Sequence, residues 1–184
     1  MKFSILILMM MISFGLHAQT KKIDTAKSSI HWVGKKITGK HDGTINFKEG
    51  SLVFDKNKLK GGSFTVDMTT INATDVSGGA KEKLDAHLKA DDFFGVEKYP
   101  TSTLKITNIT DKGNGVYTVT ADLTIKAKSN PVTFDMNVSG KSASAKLSVD
   151  RTKYDITYKS GSVFDGLGDK AISDEFDLEV KLVF

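Results

Sequence analysis

Apolar and polar residues alternate along most of this chain. In one of the clearest segments, Tyr117, Val119 and Leu123 alternate with polar residues such as Thr118 and Asp122. Successive side chains of a β-strand point to opposite faces of the sheet, so this period of two predicts a strand with one buried face. The same pattern predicts further strands, which gives the set 29–37, 43–48, 50–55, 62–71, 101–109, 115–127, two within 131–150, and 173–184.

Short groups of turn-forming residues separate the predicted strands. Examples are residues 111–115, 129–131 and 139–142, which are rich in Gly, Asn, Ser and Pro. Short connections between successive strands indicate antiparallel pairing. Because each strand has one apolar face, the sheet must close or pack on another layer, and a closed sheet of about eight strands leaves an interior wide enough for one small ligand. We therefore predict an all-β antiparallel barrel.

Residues 77–94 follow a helical pattern instead. Ser77 is a suitable N-cap, Leu84 and Leu88 share one helical face, and Gly95 can end the helix. The two phenylalanines before this glycine need an apolar surface. The sequence therefore predicts one short helix across or beside a barrel end, either as a fixed plug or as a mobile lid.

A series of short motifs, taken in order, resembles a known family. They are Gly-Ser-Leu-Val-Phe at 50–54, Gly-Ser-Phe-Thr-Val-Asp-Met at 62–68, His-Leu-Lys-Ala-Asp-Asp-Phe-Phe at 87–94, Tyr-Pro at 99–100, Ala-Asp-Leu-Thr-Ile-Lys at 121–126, Val-Asp-Arg at 149–151 and Gly-Leu-Gly-Asp at 166–169. Their order and spacing resemble the YceI-like family of bacterial periplasmic lipid-binding proteins, over nearly all of the chain after residue 22. The resemblance implies a lipocalin-like barrel that holds a long isoprenoid.

The candidate ligand contacts are apolar residues of the predicted strands and helix. The same side chains could line a cavity or fill a solid core, and the residues alone leave both open. The resemblance favours a cavity, whose predicted contacts are Phe47, Phe54, Phe64, Val66, Met68, Leu84, Leu88, Phe93, Phe94, Leu104, Ile106, Tyr117, Val119, Leu123, Phe134, Met136, Phe176 and Leu178.

Arg151 is the sole arginine among 26 basic residues, and two roles compete for it. A structural arginine would pair with carboxylates at a strand end or stack on a ring such as Trp32. A functional one would bind a phosphate headgroup through its planar fork. We favour the structural role and keep the headgroup contact as a candidate. The family pattern has a glycine soon after this arginine, where this chain has Asp155.

Catalytic and metal-binding signatures are missing from the sequence. It has no Gly-x-Ser-x-Gly elbow, no phosphate-binding glycine loop and no His-Glu-x-x-His pair. His41 and Asp42 lack a third ligand at a useful spacing, and His87 is expected to bind a backbone group. The neighbouring Asp91 and Asp92 point in different directions on a helix, so they are poor acid–base partners. We expect no enzyme, no metal and no cofactor.

The amino-terminal segment predicts export. Residues 1–18 combine Lys2, an apolar run and a small residue, Ala18, which is typical of a signal peptide. The rest, 19–184, suits a single domain in the periplasm or outside the cell. The chain has no cysteine and a formal charge of +4. It lacks the clustered Arg and Lys of nucleic-acid readers, whereas weak transient contact with anionic membrane surfaces is compatible with its lysines.

The sequence thus leads to a hypothesis of non-enzymatic binding, storage or transport of a polyisoprenoid lipid, such as a quinone or a polyprenyl phosphate. One alternative is an envelope stress-related interaction protein whose barrel is filled by side chains. The second alternative is an enzyme acting on an isoprenoid lipid. It would need polar residues such as His41, His87 and Arg151 to converge at the barrel mouth.

Overall fold

The structure, a computed structural model, describes residues 18–184. The predicted signal peptide, residues 1–18, lies outside the described residues except for Ala18. Nine strands and one α-helix occur in the described part. Their bounds are β1 Gln19–Lys22, β2 Ser29–Lys36, β3 Gly39–Asp55, β4 Lys58–Ala73, α1 Gly78–Lys89, β5 Thr101–Gly113, β6 Val116–Ile125, β7 Lys128–Ser139, β8 Ser142–Asp150 and β9 Ile172–Val183.

Strands β2 to β9 form a closed antiparallel barrel of eight strands, which confirms the predicted fold class. Each strand pairs with the next one along the chain, and β9 pairs back onto β2 with Trp32 opposite Leu178. Strand β1 pairs with the carboxyl-terminal part of β3, where Gln19 lies opposite Phe54. Closure gives β2 and β9 a hydrogen-bonding partner on both sides, so neither is an unpaired sheet edge.

The predicted strands 43–48 and 50–55 are one long strand, β3. The pairing of β3 with β4 shifts register between Phe47 and Glu49, which interrupts the regular alternation there. Gly50 follows the shift, and a side chain at this position would collide with the ring of Phe64. The sequence pattern breaks at this point because the strand bulges and not because it ends.

The turn between β6 and β7 lies at Lys126–Ala127, so the predicted connection at 129–131 is wrong. Both turn residues have positive φ, +49° and +59°, as the type I′ turn of a two-residue hairpin requires. Pro131 lies inside β7 opposite Asp122. Neither Lys nor Ala is a typical turn former, so local composition pointed to the wrong tripeptide.

The two ends of the barrel differ in their connections. At one end, which we call the turn end, β3–β4, β5–β6 and β7–β8 are joined at Lys56–Asn57, Asn114–Gly115 and Gly140–Lys141. At the opposite end, which we call the helix end, two long segments connect the strands, 74–100 with α1 and 151–171. The helix end therefore carries most of the chain that can cover or open the barrel.

Helix α1 is shorter than predicted, because it ends at Lys89 and the two phenylalanines lie in the turns that follow. Ser77 is its N-cap residue but makes no side-chain cap hydrogen bond. No helix of residues 18–184 is long and apolar enough to cross a membrane.

Asp85 fastens α1 to the end of β4. Its carboxylate accepts hydrogen bonds from Ala73 N at 2.7 Å and from Lys81 Nζ at 2.8 Å, and Lys81 Nζ also donates to Ala73 O at 2.5 Å. Burial would raise the pKa of Asp85, but the hydrogen bonds from Lys81 and Ala73 outweigh it and lower the pKa below its ordinary value. The helix is thus tied to the barrel by a charged contact.

Asp85→Asn should lower the free energy of unfolding at neutral pH by about 1–2 kcal/mol, because an amide replaces a charged acceptor. The folded-state pKa of Asp85 lies below the unfolded value. Its stabilisation is therefore present above the unfolded pKa and lost as the pH falls through the folded pKa. Urea unfolding at neutral pH and at about pH 3 checks this, since the difference between variant and parent should shrink in acid.

Asp91→Asn is the matched control for this substitution. Asp91 is 69% exposed and pairs with Lys98 on the surface, so its loss should change stability by no more than about 0.5 kcal/mol. Equal effects of the two substitutions, or a difference that does not depend on pH, would contradict the assigned role of Asp85.

Candidate functional site

Two adjoining apolar cavities lie inside the barrel. The first has a volume of about 130 Å³ and lies at the helix end. The second, of about 90 Å³, lies deeper, towards the middle of the barrel. Both are lined by Ile30, Val66, Ser102, Leu123 and Leu178, which form the wall between them. The barrel is therefore partly hollow, and its hollow part begins next to the helix.

The first cavity is covered by the segment that contains the end of α1. Leu88, Phe93 and Phe94 line it from this side, and Phe176 lines it from β9. The ring of Phe94 contacts Phe93 edge to face with centroids 5.2 Å apart, and its centroid lies 6.3 Å from that of Phe176. The two phenylalanines after the helix thus form the apolar cover of the cavity.

The second cavity is lined by large apolar side chains from β3, β4, β5 and β7. Phe47 and Phe64 lie side by side with ring centroids 5.9 Å apart. Leu104, Phe134 and Met136 complete this part of the wall. These residues come from alternate positions of their strands, as the sequence pattern predicts for an inward face.

The turn end of the barrel is filled by side chains. Tyr117 and Val119 are buried there, Val119 completely, and Leu59 N donates a hydrogen bond to Tyr117 Oη at 3.5 Å. Ile106 packs close to Gly62, and Phe54 contacts the carboxyl-terminal Phe184 with ring centroids 5.5 Å apart. The lumen is therefore closed at this end.

Thirteen of the eighteen predicted ligand contacts line one or both cavities. Four of the others, Phe54, Ile106, Tyr117 and Val119, lie in the filled turn end. Leu84 packs on the core from α1 without lining either cavity. Alternation along a strand shows which face is inward, but it does not show the depth at which the barrel becomes solid. The thirteen are Phe47, Phe64, Val66, Met68, Leu88, Phe93, Phe94, Leu104, Leu123, Phe134, Met136, Phe176 and Leu178.

Several lining residues were missed by the sequence prediction. Ile30, Trp32 and Ile45 line the first cavity and have the same alternation as the predicted contacts, so the pattern could have found them. Ser102 and Glu175 also line it. Their polar side chains gave no such signal, and only the pairing of β5 and β9 with their neighbours places them there.

Ser102 is a buried polar residue in the wall shared by both cavities. It is 7% exposed, and its Oγ donates a hydrogen bond to Met68 Sδ at 3.0 Å. A thioether sulfur is a weak acceptor. The hydroxyl can therefore turn to a better acceptor on a ligand at little cost.

Arg151 is buried, with 2% of its surface exposed, and fastens three segments together. Its Nε donates to Ser173 O at 2.8 Å, its Nη1 to Ile156 O at 2.7 Å and its Nη2 to Ile172 O at 3.0 Å. These bonds tie the short 3-10 turn after β8 to the start of β9. The geometry is that of a structural arginine, which is the role the sequence favoured.

The surroundings of Arg151 differ from the predicted ones in detail. Burial lowers the pKa of Arg151, and the charges of Asp174, 3.7 Å away, and of Asp150 oppose this effect. The nearby ring is Phe93, 6.0 Å from the guanidinium carbon, and not Trp32. Asp155 has a φ of +56°, so it adopts the left-handed conformation that a glycine would adopt at this place.

His87 does not make the predicted backbone hydrogen bond through Nε2. This nitrogen is buried without a hydrogen-bond partner and lies 3.6 Å from Asp92 Oδ2. The imidazole instead packs on Tyr158 and Phe93, with ring centroids 4.4 Å and 5.4 Å away. His41 pairs with Asp75 at 2.8 Å, away from both cavities.

The chain belongs to the YceI-like family, because the sequence profile of the YceI-like domain matches residues 22–184. Curated relatives carry the name UPF0312 protein. One from Shewanella denitrificans is 32% identical over 54% of this chain, and the match spans about half of that protein, 50%. One from Vibrio cholerae is 29% identical over 71% of this chain and 69% of the relative.

Solved structures share the fold at low sequence identity. BcnA from Burkholderia cenocepacia has a TM-score of 0.70 and 22% identity, over 88% of this chain and 99% of that one. A polyisoprenoid binding domain from Saccharophagus degradans has a TM-score of 0.60 and 14% identity, over 90% of this chain and 97% of that one. These similarities show the same barrel architecture.

Arg151→Lys should lower the free energy of unfolding by about 3 kcal/mol or more, because a lysine ammonium cannot reach all three carbonyls and leaves buried acceptors unpaired. Urea unfolding, followed by the fluorescence of Trp32, measures this loss. Lys153→Arg is the control, since Lys153 is exposed on the same turn. A loss below about 1 kcal/mol would contradict the structural role.

Proposed function

We propose that this protein is a non-enzymatic binding protein that holds a polyisoprenoid lipid, such as a quinone or a polyprenyl phosphate, in its lumen. The observation that carries the proposal is the pair of adjoining apolar cavities beneath the cover formed by Phe93 and Phe94. An apolar space inside a barrel suits a hydrocarbon chain. The name of the Saccharophagus relative and the shared family motifs support the choice of an isoprenoid.

The volumes of the cavities set the length of chain that fits without rearrangement. An apolar cavity of about 150 Å³ binds one benzene molecule. The first cavity, of about 130 Å³, is close to that size and the second, of about 90 Å³, is smaller, so together they hold about one or two isoprene units. A longer chain requires the lining or the cover to move, and Met68 and Met136 are side chains that adapt readily.

The hydrocarbon supplies much of the affinity. Each buried methylene contributes about 0.8 kcal/mol, so one isoprene unit contributes about 4 kcal/mol before the cost of ordering the chain. The family and the apolar lining favour binding over catalysis, and neither His41 nor His87 lines a cavity. A headgroup contact of Arg151 stays a prediction, because three of its N–H groups already bind carbonyls.

The cellular part of the proposal rests on the amino-terminal sequence. A cleaved signal peptide ending near Ala18 would place residues 19–184 in the periplasm or outside the cell as one domain. There a barrel that shields a water-insoluble chain would store the lipid or transport it between membranes. Such a carrier would contact membrane surfaces transiently when it collects or delivers its cargo.

Ser102→Leu should abolish or strongly reduce the loading of a long-chain ubiquinone, because the larger side chain occupies the space where the two cavities adjoin. Native mass spectrometry of the detergent-free protein, mixed with octaprenyl ubiquinone delivered from a detergent solution, measures the loaded fraction. Overpacking costs about 1–3 kcal/mol, so the fold is checked by thermal unfolding in parallel.

Two controls separate volume from chemistry. Ser102→Ala keeps the cavity space, so the variant should still load ubiquinone. Any decrease in its loaded fraction measures the contribution of the hydroxyl. Ser144→Leu adds the same side chain on the outer face of β8, where Ser144 is exposed between buried residues, and should load like the parent. Full loading of a folded Ser102→Leu variant would contradict binding in the lumen, as would a parent protein that takes up no ubiquinone or polyprenyl phosphate.

A further inference from the structure

The exposed large apolar side chains of residues 18–184 are confined to the helix end. They are Ile37, 71% exposed, and Val163 and Phe164, each 49% exposed. Ile37 lies in the turn between β2 and β3, and the other two lie in the 151–171 segment. Single exposed apolar residues scattered over a surface are normal, whereas a group of them marks an interaction site.

A surface groove brings these two segments together. Ile37 lines it from one side, and Gly161 and Ser162, which directly precede Val163, line it from the other. The start of β9 forms the floor, where Ile172 pairs with Lys36 of β2 and with Ser160. We call Ile37, Val163 and Phe164 the apolar tip.

The loop that carries Val163 and Phe164 is held in a defined turn by hydrogen bonds. Ser160 is fully buried, and its carbonyl accepts hydrogen bonds from the backbone N–H groups of Val163 at 3.3 Å and Phe164 at 3.0 Å. Ser162 Oγ donates to Asp174 at 2.5 Å. The fold therefore holds these apolar side chains outward. Ile37 is likewise exposed and does not pack on the core. A tight turn usually contains Gly, Asn or Asp, so a β-branched residue is unusual at this position.

The segments that carry the apolar tip are rich in lysine. The lysines beside it are Lys35, Lys36 and Lys40 of the β2–β3 hairpin and Lys159 and Lys170 of the loop. Two of the acidic groups in this region are already paired, Asp177 with Lys35 and Asp174 with Arg151. Asp165 and Asp169 offset part of the remaining lysine charge, and the net charge of these side chains stays positive.

We propose that the apolar tip docks the protein onto an anionic phospholipid bilayer with the helix end facing the membrane. Exposed apolar residues on lysine-rich segments match the boundary between acyl chains and negatively charged headgroups. A stable protein interface needs about 20–30 residues on each side, which is far more than this tip offers. The membrane is therefore the occupant that its size and charge fit.

The apolar tip lies next to the cavity that is proposed to hold the lipid. The link between docking and lipid transfer rests on the proposed function. Ile172 and Ser173 line the first cavity on the inside and the groove on the outside. A lipid that passes between the cover and β9 would thus leave the barrel beside the docked surface. It would enter the bilayer without crossing water.

Flotation with vesicles of equal parts phosphatidylcholine and phosphatidylglycerol tests the docking. The parent should bind these vesicles more tightly than pure phosphatidylcholine vesicles. Combined Ile37→Ser, Val163→Ser and Phe164→Ser should weaken binding at least about tenfold, because the apolar insertion is lost. Combined Lys36→Glu and Lys40→Glu should weaken it about tenfold and abolish the preference for anionic vesicles.

Combined Lys60→Glu and Lys141→Glu is the matched control, since it changes the net charge equally but at the turn end. It should bind within about twofold of the parent, because charges far from the docked surface are screened. Absence of parent binding, or equal binding by the serine variant, would overturn the proposal. A dimer in analytical ultracentrifugation that the serine variant abolishes, without any vesicle binding, would also overturn it and would assign the tip to a second copy.

Ubiquinone loading separates this inference from the proposed function. The serine variant should load ubiquinone from detergent solution as the parent does, but extract it poorly from the mixed vesicles. Ser102→Leu should dock normally and load from neither source. Normal extraction by a folded serine variant would contradict the docking surface alone, whereas a parent that docks but never loads would contradict the proposed cargo alone.

Discussion

The pairing of β9 with β2 is the contact on which the rest of the structure depends. It closes the sheet, with Trp32 opposite Leu178, and encloses the apolar faces of eight strands. Without closure, β2 and β9 would be open sheet edges with unpaired backbone N–H and C=O groups. The start of β9 is secured separately, because Arg151 binds the carbonyls of Ile172 and Ser173. A buried cation thus holds the last strand where the barrel must close.

Closure also explains why the barrel is hollow at one end and solid at the other. At the turn end, tight connections bring Phe54, Tyr117 and their neighbours into a filled core. At the helix end, the connections are longer, and residues after α1 cover the first cavity. The helix itself is fixed to β4 by Asp85 and Lys81. The aromatic cover follows the helix directly, and Phe94 N donates a hydrogen bond to Leu88 O at 3.2 Å. The contacts of Asp85 and Lys81 therefore anchor the helix from which the cover extends.

The fold could be predicted from the sequence because a period of two and short turns leave few alternatives to an antiparallel barrel. The details that failed depend on tertiary contacts. Lys126–Ala127 forms a turn because the register of β6 and β7 demands one there, and Gly50 marks a bulge because Phe64 occupies its side-chain space. The inward face of the site was predictable for the same reason as the fold. The depth of the lumen and the position of Ser102 were not, since both depend on how neighbouring strands are staggered.

Selectivity must come from few groups, because a hydrocarbon chain binds any apolar lumen of suitable length. The polar side chains that line the first cavity include Ser102 and Arg151, and these two differ in what they can offer. The guanidinium of Arg151 is held by three carbonyls, and moving it would disturb the start of β9. The hydroxyl of Ser102 is held by one weak acceptor, Met68 Sδ, in the wall between the cavities. Of the two, Ser102 is the group that can exchange its partner for a ligand oxygen without loosening the barrel, so discrimination among lipids of equal length falls most naturally on it.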